Sequence, residues 1–513
     1  MTRNQIDGLF FIPPIKPIPR PLDLTYSFFD KIKILNNESM VYVQSGPLSI
    51  INILESHGYS IKFFDFNHFK SKATLEETIE FLIKEYNPKT VLAYSYTASI
   101  PGLKKCLRLF KSKNRDIISI VGGPHVTFLD IETFKDFRKS LDFIVRGEGE
   151  KTILELFNRL FKNNNFEDIN GLTYRKNGKI KKNQNRKLMT SKELNELPNI
   201  DLKSYPKNEL KKLIYFSINI SRGCPYKCTF CSNHQFWERK LRFKSIDKII
   251  EDIVYLDNKF NIYYDFGDSN LPINKKIFEE LIIKFQKEII PKDNLGMILI
   301  RSNLIENERL DLIKKFIRDY KSAYITVGLE NASPNILKIM NKPNWNIQLE
   351  ALKKIKNYQI KSIPTWIVGH PGENSHTMAR NILMLNKLNQ EKIIDSSILF
   401  MYTPLPGTAP FHEKEKFGLI IHHYKWEYYD RAIFPPPYSL KDTKTDQITL
   451  TSEQIWNYWL LMVETQRKWR KILIKKANEM IHYNEFVKFI NNDPIYSQIN
   501  PAEGIINCYK DFL

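Results

Sequence analysis

Long apolar runs are missing from this chain. The longest, such as IWNYWLLMV at 455–463, fall far short of the roughly 20 residues a helix needs to cross a bilayer, so no transmembrane segment is expected. Cysteine is scarce as well. Of five among 513 residues, three are gathered at Cys224, Cys228 and Cys231, and Cys106 and Cys508 stand alone, which excludes a disulfide framework. The opening MTRNQIDGLFFIPP has no basic segment leading into an apolar run; with reduced cysteines, this points to the cytoplasm. Acidic residues are outnumbered, 57 Asp and Glu against 77 Lys and Arg, for a net charge of +20. Such an excess suits nucleic acid or an anionic membrane when it is clustered. Here the lysines are spread along the whole chain among asparagines and isoleucines, so no nucleic-acid partner is expected.

What is present is an alternation of strands and helices. LFFIPPI, SIKFFDF, TVLAYSY, IISIVGG and FIVRG read as strands, with helix-like LSIINILESHGY, LEETIEFLIKEY and GLKKCLRLF among them. This rhythm predicts a doubly wound parallel sheet over residues 1–165, whose ligand lies at the carboxyl ends of the strands. Ser95, Thr97, Gly122, Gly123 and Thr127 follow such strands and offer hydroxyls and bare backbone there. Residues 166–210 lose the rhythm: a small hairpin turns at Asn177-Gly178, and NELPNIDLKSYP has the turn formers of a linker. Six further strand–helix repeats run through 211–420, with strands in LIYFSINISRG, NIYYDFGD, LGMILIRS, SAYITVGLE, KSIPTWIVG and DSSILFMYTP. That number predicts a partial (βα)6 barrel of TIM type, with its active site where the strands end. Residues 421–513 read as a mainly helical region, LTSEQIWNYWLLMVETQRKWRKILIKKANEM placing Trp456, Leu460 and Met462 among its apolar positions. Its basic end, RKWRKILIKK, allows peripheral contact with an anionic membrane.

The stretch SRGCPYKCTFCSNHQFW, directly after the first barrel strand, holds the cysteines at C-x3-C-x2-C spacing. Two metal readings suit them. One is zinc on Cys224, Cys228, Cys231 and His234, although structural zinc sites usually join two ligand pairs across a longer loop. The other is a four-iron cluster with one iron left open for an outside ligand, because only three thiolates are at hand.

Cys224, Cys228, Phe230 and Cys231 match the C-x3-C-x-aromatic-C hallmark of the radical S-adenosylmethionine (SAM) superfamily, which the chain resembles. The resemblance implies a [4Fe-4S] cluster on the three cysteines. The amino and carboxylate groups of SAM chelate its open iron, and one electron yields a 5′-deoxyadenosyl radical. YDFGDSN, with Gly267 and Asp268, is similar to the strand-two element that meets the SAM amino group. VGLENASPNILKIMNK, with Glu330, is similar to the strand-four element; Arg301 ends strand three, and IVGHPGE and YTPLPGTAPF end strands five and six. On this resemblance Phe230 flanks the adenine, while Glu330 and Asp268 meet the ribose and amino groups. Asn331 and His370 depart from the usual pattern.

The front domain, with GPLSIINIL, SYT, GGPHVT and DFIVRGEGE, resembles the cobalamin-binding domain of class B radical SAM enzymes. Aligning Gly46 with the glycine of a D-x-H-x-x-G motif puts Val41 and Val43 where Asp and His would stand, so no lower-face histidine is expected, and His68 and His125 are read as surface or loop histidines, not cobalt ligands. The implied activity is cobalamin-dependent methylation of an unactivated carbon in a small molecule or peptide, with an external flavodoxin- or ferredoxin-like electron donor. Ring formation on a tetrapyrrole-like substrate and a non-enzymatic cobalamin sensor are the alternatives. An RNA methylthiotransferase needs three more clustered cysteines than the chain has.

Overall fold

The computed structural model describes residues 5–15, 41–67, 73–162, 165–211, 214–260, 262–268, 270, 274–289, 295–318, 320, 323–430 and 436–475. Cys508 and His68 lie outside them. The chain begins with β1 (Gly8–Ile12), β2 (Val41–Val43), β3 (Ile61–Asp65), β4 (Thr90–Tyr94), β5 (Ile118–Gly122), β6 (Phe143–Val145), β7 (Leu172–Lys176) and β8 (Lys179–Lys182). All but β2 form one sheet in the order β3-β1-β4-β5-β6-β7-β8, parallel from β3 to β6. Among the parallel strands this is the flavodoxin-like order, with its switch point between β1 and β4.

Both faces of this sheet are apolar because helices cover both. Leu9, Phe11, Val91, Ala93, Val121 and Ile144 pack into one core, and Phe10, Leu92, Ile120 and Val145 into the other. The helices have local start and stop signals. Leu75–Tyr86 opens on a Thr74–Glu77 capping box and closes on Asn87 at φ 41°.

The hairpin turns at Asn177 and Gly178, with φ of 51° and 76°, the paired positive angles a two-residue turn requires. It does not belong to a free linker. β7 pairs antiparallel with β6 and carries the front sheet on to β8, so the 166–210 stretch is a connector only after the hairpin. Leu172, Thr173 and Tyr174 are buried against the sheet, which is what recruits it.

The second sheet contains β9 (Ile214–Ile218), β12 (Ile262–Phe266), β13 (Leu295–Ile300), β14 (Tyr324–Glu330), β15 (Thr365–Val368) and β16 (Ile398–Met401). These six parallel strands with intervening helices are the expected partial barrel. A two-residue ladder, β10 (Ser221–Arg222) with β11 (Arg242–Phe243), brackets the cysteine loop. β2 joins this barrel sheet, not the front one, pairing parallel with β9. Val41 and Val43 are therefore backbone partners of Ile214 and Phe216, which places them in the barrel wall.

The C-terminal part adds structure that helical periodicity does not reveal. β17 (Leu419–Ile421), β18 (Tyr438–Lys441) and β19 (Ile448–Leu450) make an antiparallel sheet, because Tyr438, Ser439 and Leu440 are covered on both faces. The Ser452–Lys475 helix then packs along the Ser375–Gln390 helix and β16, burying Trp456, Trp459 and Met462, and Trp459 Nε1 donates to Leu399 O (3.1 Å). Trp456 and Met462 thus serve as core, and Leu460 is partly buried against it. Among the described residues no helix is long and apolar enough to cross a membrane.

Candidate functional site

The cysteine loop is built by its supports. Asp268, just past β12, is 3% exposed and accepts from Ile220 N (2.9 Å), Ser221 N (2.6 Å) and Ser221 Oγ. Burial pushes its carboxyl up to about 6. Gly223 sits at φ 108°, where a Cβ would stand 2.0 Å from Lys240 O, so only glycine fits this entry to Cys224. Farther on, Thr229 N and Oγ1 donate to Met340 O (3.2 Å) and Ile339 O (3.0 Å), pinning the loop to the chain that follows β14.

Arg301 reaches in from the end of β13. Its Nη1 donates to Cys228 Sγ (3.0 Å), its Nη2 to Asn341 O (2.7 Å), and its guanidinium lies 4.2 Å from the Tyr226 ring centre. That sets a positive charge beside the Cys228 sulfur. Burial raises the Cys224 thiol and takes that of Cys231 up to about 12.

Among the described residues no three His, Cys, Asp or Glu side chains close around a single metal ion.

Glu330 ends β14 at φ 68°, a left-handed backbone that non-glycine residues rarely adopt and that marks functional sites. Its Oε1 lies 3.4 Å from Lys342 Nζ, and its Oε2 accepts from Thr365 Oγ1 (3.0 Å). Asn270 Oδ1 accepts from Arg301 N (2.8 Å), while Asn270 Nδ2 and Arg301 Nε are buried with no partner. Buried donors left open beside the cysteines are what a missing ligand would satisfy. Phe230 meets the His370 ring edge-on at 6.3 Å. His370 is fully buried, its Nδ1 at 2.9 Å from Pro371 O, and burial lowers it to about 4, so its ring is neutral. Glu373 accepts from Gly369 N (2.7 Å), His370 N (2.9 Å), Asn331 Nδ2 (2.6 Å) and Asn381 Nδ2 (2.9 Å), which fixes the loop after β15 and accounts for Asn331.

A cleft of about 420 Å³ separates the front sheet from the cysteine loop. Gly46, Gly122, Gly123, Gly147 and Gly149 line one side, and Arg222, Gly223, Ser232, Phe236 and Gly267 line the other. At Gly122 an added Cβ would stand 3.5 Å from its nearest neighbour, and at Gly147 nothing lies within 4 Å, so a flat ligand can approach the backbone there.

Some expected contacts are not in this cleft. Ser95 Oγ donates to Gly122 O (2.8 Å), Thr127 Oγ1 donates to Gly123 O (2.9 Å) and accepts from Gly147 N (3.0 Å), and Thr97 Oγ1 lies 3.2 Å from His125 Nδ1. These three hydroxyls brace the strand ends, and the cleft is lined instead by Ser45 and Ser49. Asp268 likewise accepts from the loop amides with both oxygens. His125 is not the surface or loop histidine expected: it lies in the short Pro124–Phe128 helix, 3% exposed and packed edge-on at 4.9 Å against Trp426. Cys106 is buried in the front core, away from the site.

Sequence reasoning missed Glu148, Glu150 and Arg222, which meet across the cleft: Arg222 Nη1 is 3.1 Å from Glu148 Oε1 and Nη2 is 2.6 Å from Glu150 Oε1. The signal was present, two acids directly after the strand FIVRG and an arginine two residues before the first clustered cysteine.

Comparison with known proteins agrees with this geometry. Residues 218–385 match the model of the radical SAM superfamily, and residues 41–157 that of the B12 binding domain. Fold and site together define a cobalamin-dependent radical SAM enzyme, whose cofactors are a [4Fe-4S] cluster, SAM and cobalamin. The chain belongs with the radical SAM enzymes that carry an N-terminal B12-binding domain. It is 27% identical over 372 residues to an uncharacterized methyltransferase, PH0819, of Pyrococcus horikoshii, covering 72% of this chain and 78% of that one. It is also 27% identical over 354 residues to the anaerobic magnesium-protoporphyrin IX monomethyl ester cyclase of Rubrivivax gelatinosus, covering 66% of this chain and 60% of the cyclase. The radical SAM methyltransferase TsrM from Kitasatospora setae, solved with cobalamin and a [4Fe-4S] cluster bound, shares the fold at a TM-score of 0.63 and 12% identity, over 99% of this chain and 100% of that one.

Proposed function

We propose that the protein methylates an unactivated carbon of a small molecule or peptide. The observation that carries this reading is the single cleft whose walls are the glycine-lined strand ends of the front domain and the entry to the cysteine loop. Bound there, cobalamin supplies a methyl carrier, and the cluster with SAM supplies a hydrogen-abstracting radical.

The chain's own residues place and shield these groups. Cys224, Cys228 and Cys231 would hold the iron, with the Arg301 guanidinium as a positive charge beside the Cys228 sulfur. Gly122 and Gly147 would let the cobalamin ligand lie against backbone, whereas Gly123 makes room for the Ser95 backbone, 2.7 Å from a Cβ at 123. Glu330, Lys342, Asn270 and Phe230 are the residues that would hold SAM at the barrel mouth. The neutral His370 ring and the apolar wall behind it exclude water from the radical. An external flavodoxin- or ferredoxin-like protein supplies the electron.

The test is anaerobic incubation of the iron- and cobalamin-loaded protein with SAM, a reductant and extracts of candidate substrates, followed by mass spectrometry. The expected result is 5′-deoxyadenosine, S-adenosylhomocysteine and a product heavier by one methyl, all lost in Cys228→Ala. A product that loses hydrogens and gains no carbon would favour ring formation, the reading supported by the Rubrivivax gelatinosus relative. No 5′-deoxyadenosine at all would leave a cobalamin sensor.

A further inference from the structure

In the ladder that brackets the cysteine loop, Arg222 stands directly opposite Arg242. Like charges at such a position repel and weaken the pair. The ladder closes because Glu148, from the loop after β6 of the front domain, lies between them. Its Oε1 is 3.1 Å from Arg222 Nη1, and its Oε2 is 2.8 Å from Arg242 Nη1. Met189 N also donates to Oε2 (2.8 Å), and Arg242 Nη1 to Met189 O (3.0 Å). Glu150 takes the other arm of Arg222 at 2.6 Å and accepts from Ser49 Oγ (2.7 Å). Both glutamate side chains and Arg242 are less than a tenth exposed.

We infer that Glu148, seconded by Glu150, is a positioning residue that makes the geometry of the cluster loop conditional on the front domain. The coupling path is short. Gly147, Glu148, Gly149 and Glu150 line the cleft on the front-domain side, Arg222 and Gly223 line it opposite, and Gly223 leads straight into Cys224. Gly223, against which Lys240 O packs so closely that a Cβ would lie 2.0 Å away, is the one residue between Arg222 and Cys224. A buried ion pair of this kind adds little net stability over apolar packing but fixes one arrangement among several. The inference rests on the cysteine loop being the cluster site and the cleft being the cobalamin site.

Glu148→Gln tests it, because it keeps the side-chain shape while leaving the two arginines opposed without a bridging charge. With iron reconstituted, this variant should still bind the cluster through its three cysteines. Its reduced cluster should show altered g-values by electron paramagnetic resonance, and its affinity for hydroxocobalamin should fall about tenfold. Adding Arg242→Gln removes the repulsion and should return the cluster spectrum toward wild type; Glu148→Asp should do so in part. If Glu148→Gln does not fold, recovery of folding in the Glu148→Gln/Arg242→Gln pair supports the inference in the same way. A Glu148→Gln protein with wild-type spectrum and cobalamin affinity overturns it, as does a double variant no better than the single. A wild-type protein that assembles no cluster or takes up no cobalamin would instead overturn the functional reading on which the inference rests.

Discussion

His125 shows how much one side chain can tie together. Its ring lies between Thr97 and Trp426, and burial lowers it to about 3 from an ordinary value of 6.5. Between those values the unfolded chain binds a proton that the folded one refuses, so stability is full above about pH 6.5 and falls as the pH drops toward 3. The slope is up to about 1.4 kcal/mol per pH unit. His125→Phe keeps the ring on Trp426, and the acid limb of a denaturation curve should become shallower by up to one proton. Unchanged slope would remove His125 as the cause. Asp268→Asn keeps the volume but turns an acceptor of three hydrogen bonds into one that accepts on a single oxygen. Iron content after reconstitution should drop, whereas a role in SAM binding would lower SAM affinity at full iron content. At this scale the sequence was informative where spacing carries chemistry, as with the three cysteines. It was silent about the close neighbours of Ser95, Thr97, Thr127 and Asp268, which stand at strand ends and each have hydrogen-bond partners within the fold.

At the scale of elements, the helix and strand rhythm made eleven of the parallel strands legible, because each is an apolar run between turn residues. β2 was not readable as a barrel strand, since a three-residue VYV pairs with β9 across about 170 residues of intervening chain and nothing local selects that partner. The antiparallel sheet of β17, β18 and β19 was equally silent, its strands being only three or four residues long. That sheet has a task at the site. Tyr438, on β18, donates to Gly369 O (3.0 Å), and Thr449 Oγ1 donates to Glu373 O (3.0 Å), so the sheet clamps the loop that carries His370. Tyr438→Phe deletes one buried hydrogen bond and should cost about 1 kcal/mol in chemical denaturation. Its SAM affinity should fall as the loop loosens, and an unchanged affinity would place the clamp outside the site.

At the scale of the whole molecule, the front domain meets the barrel on two sides. One side is the Glu148–Arg222–Glu150 clasp. The other is apolar: Gly407, at φ 84° after β16, leaves room for Phe128 of the front domain, whose ring carbons would lie 2.4–2.6 Å from a Cβ at 407. Gly407→Val should wedge this side apart, lowering cobalamin retention at unchanged iron content; loss of both together would mean a general folding defect. The most direct measurement follows from this arrangement. Electron paramagnetic resonance of the protein loaded with cobalt(II) cobalamin and reduced cluster reads whether the two paramagnets are close. A shared cleft predicts mutual broadening and faster relaxation of the cobalt signal when the cluster is reduced, and none in Cys228→Ala. Two independent signals from a fully loaded protein would contradict the shared cleft.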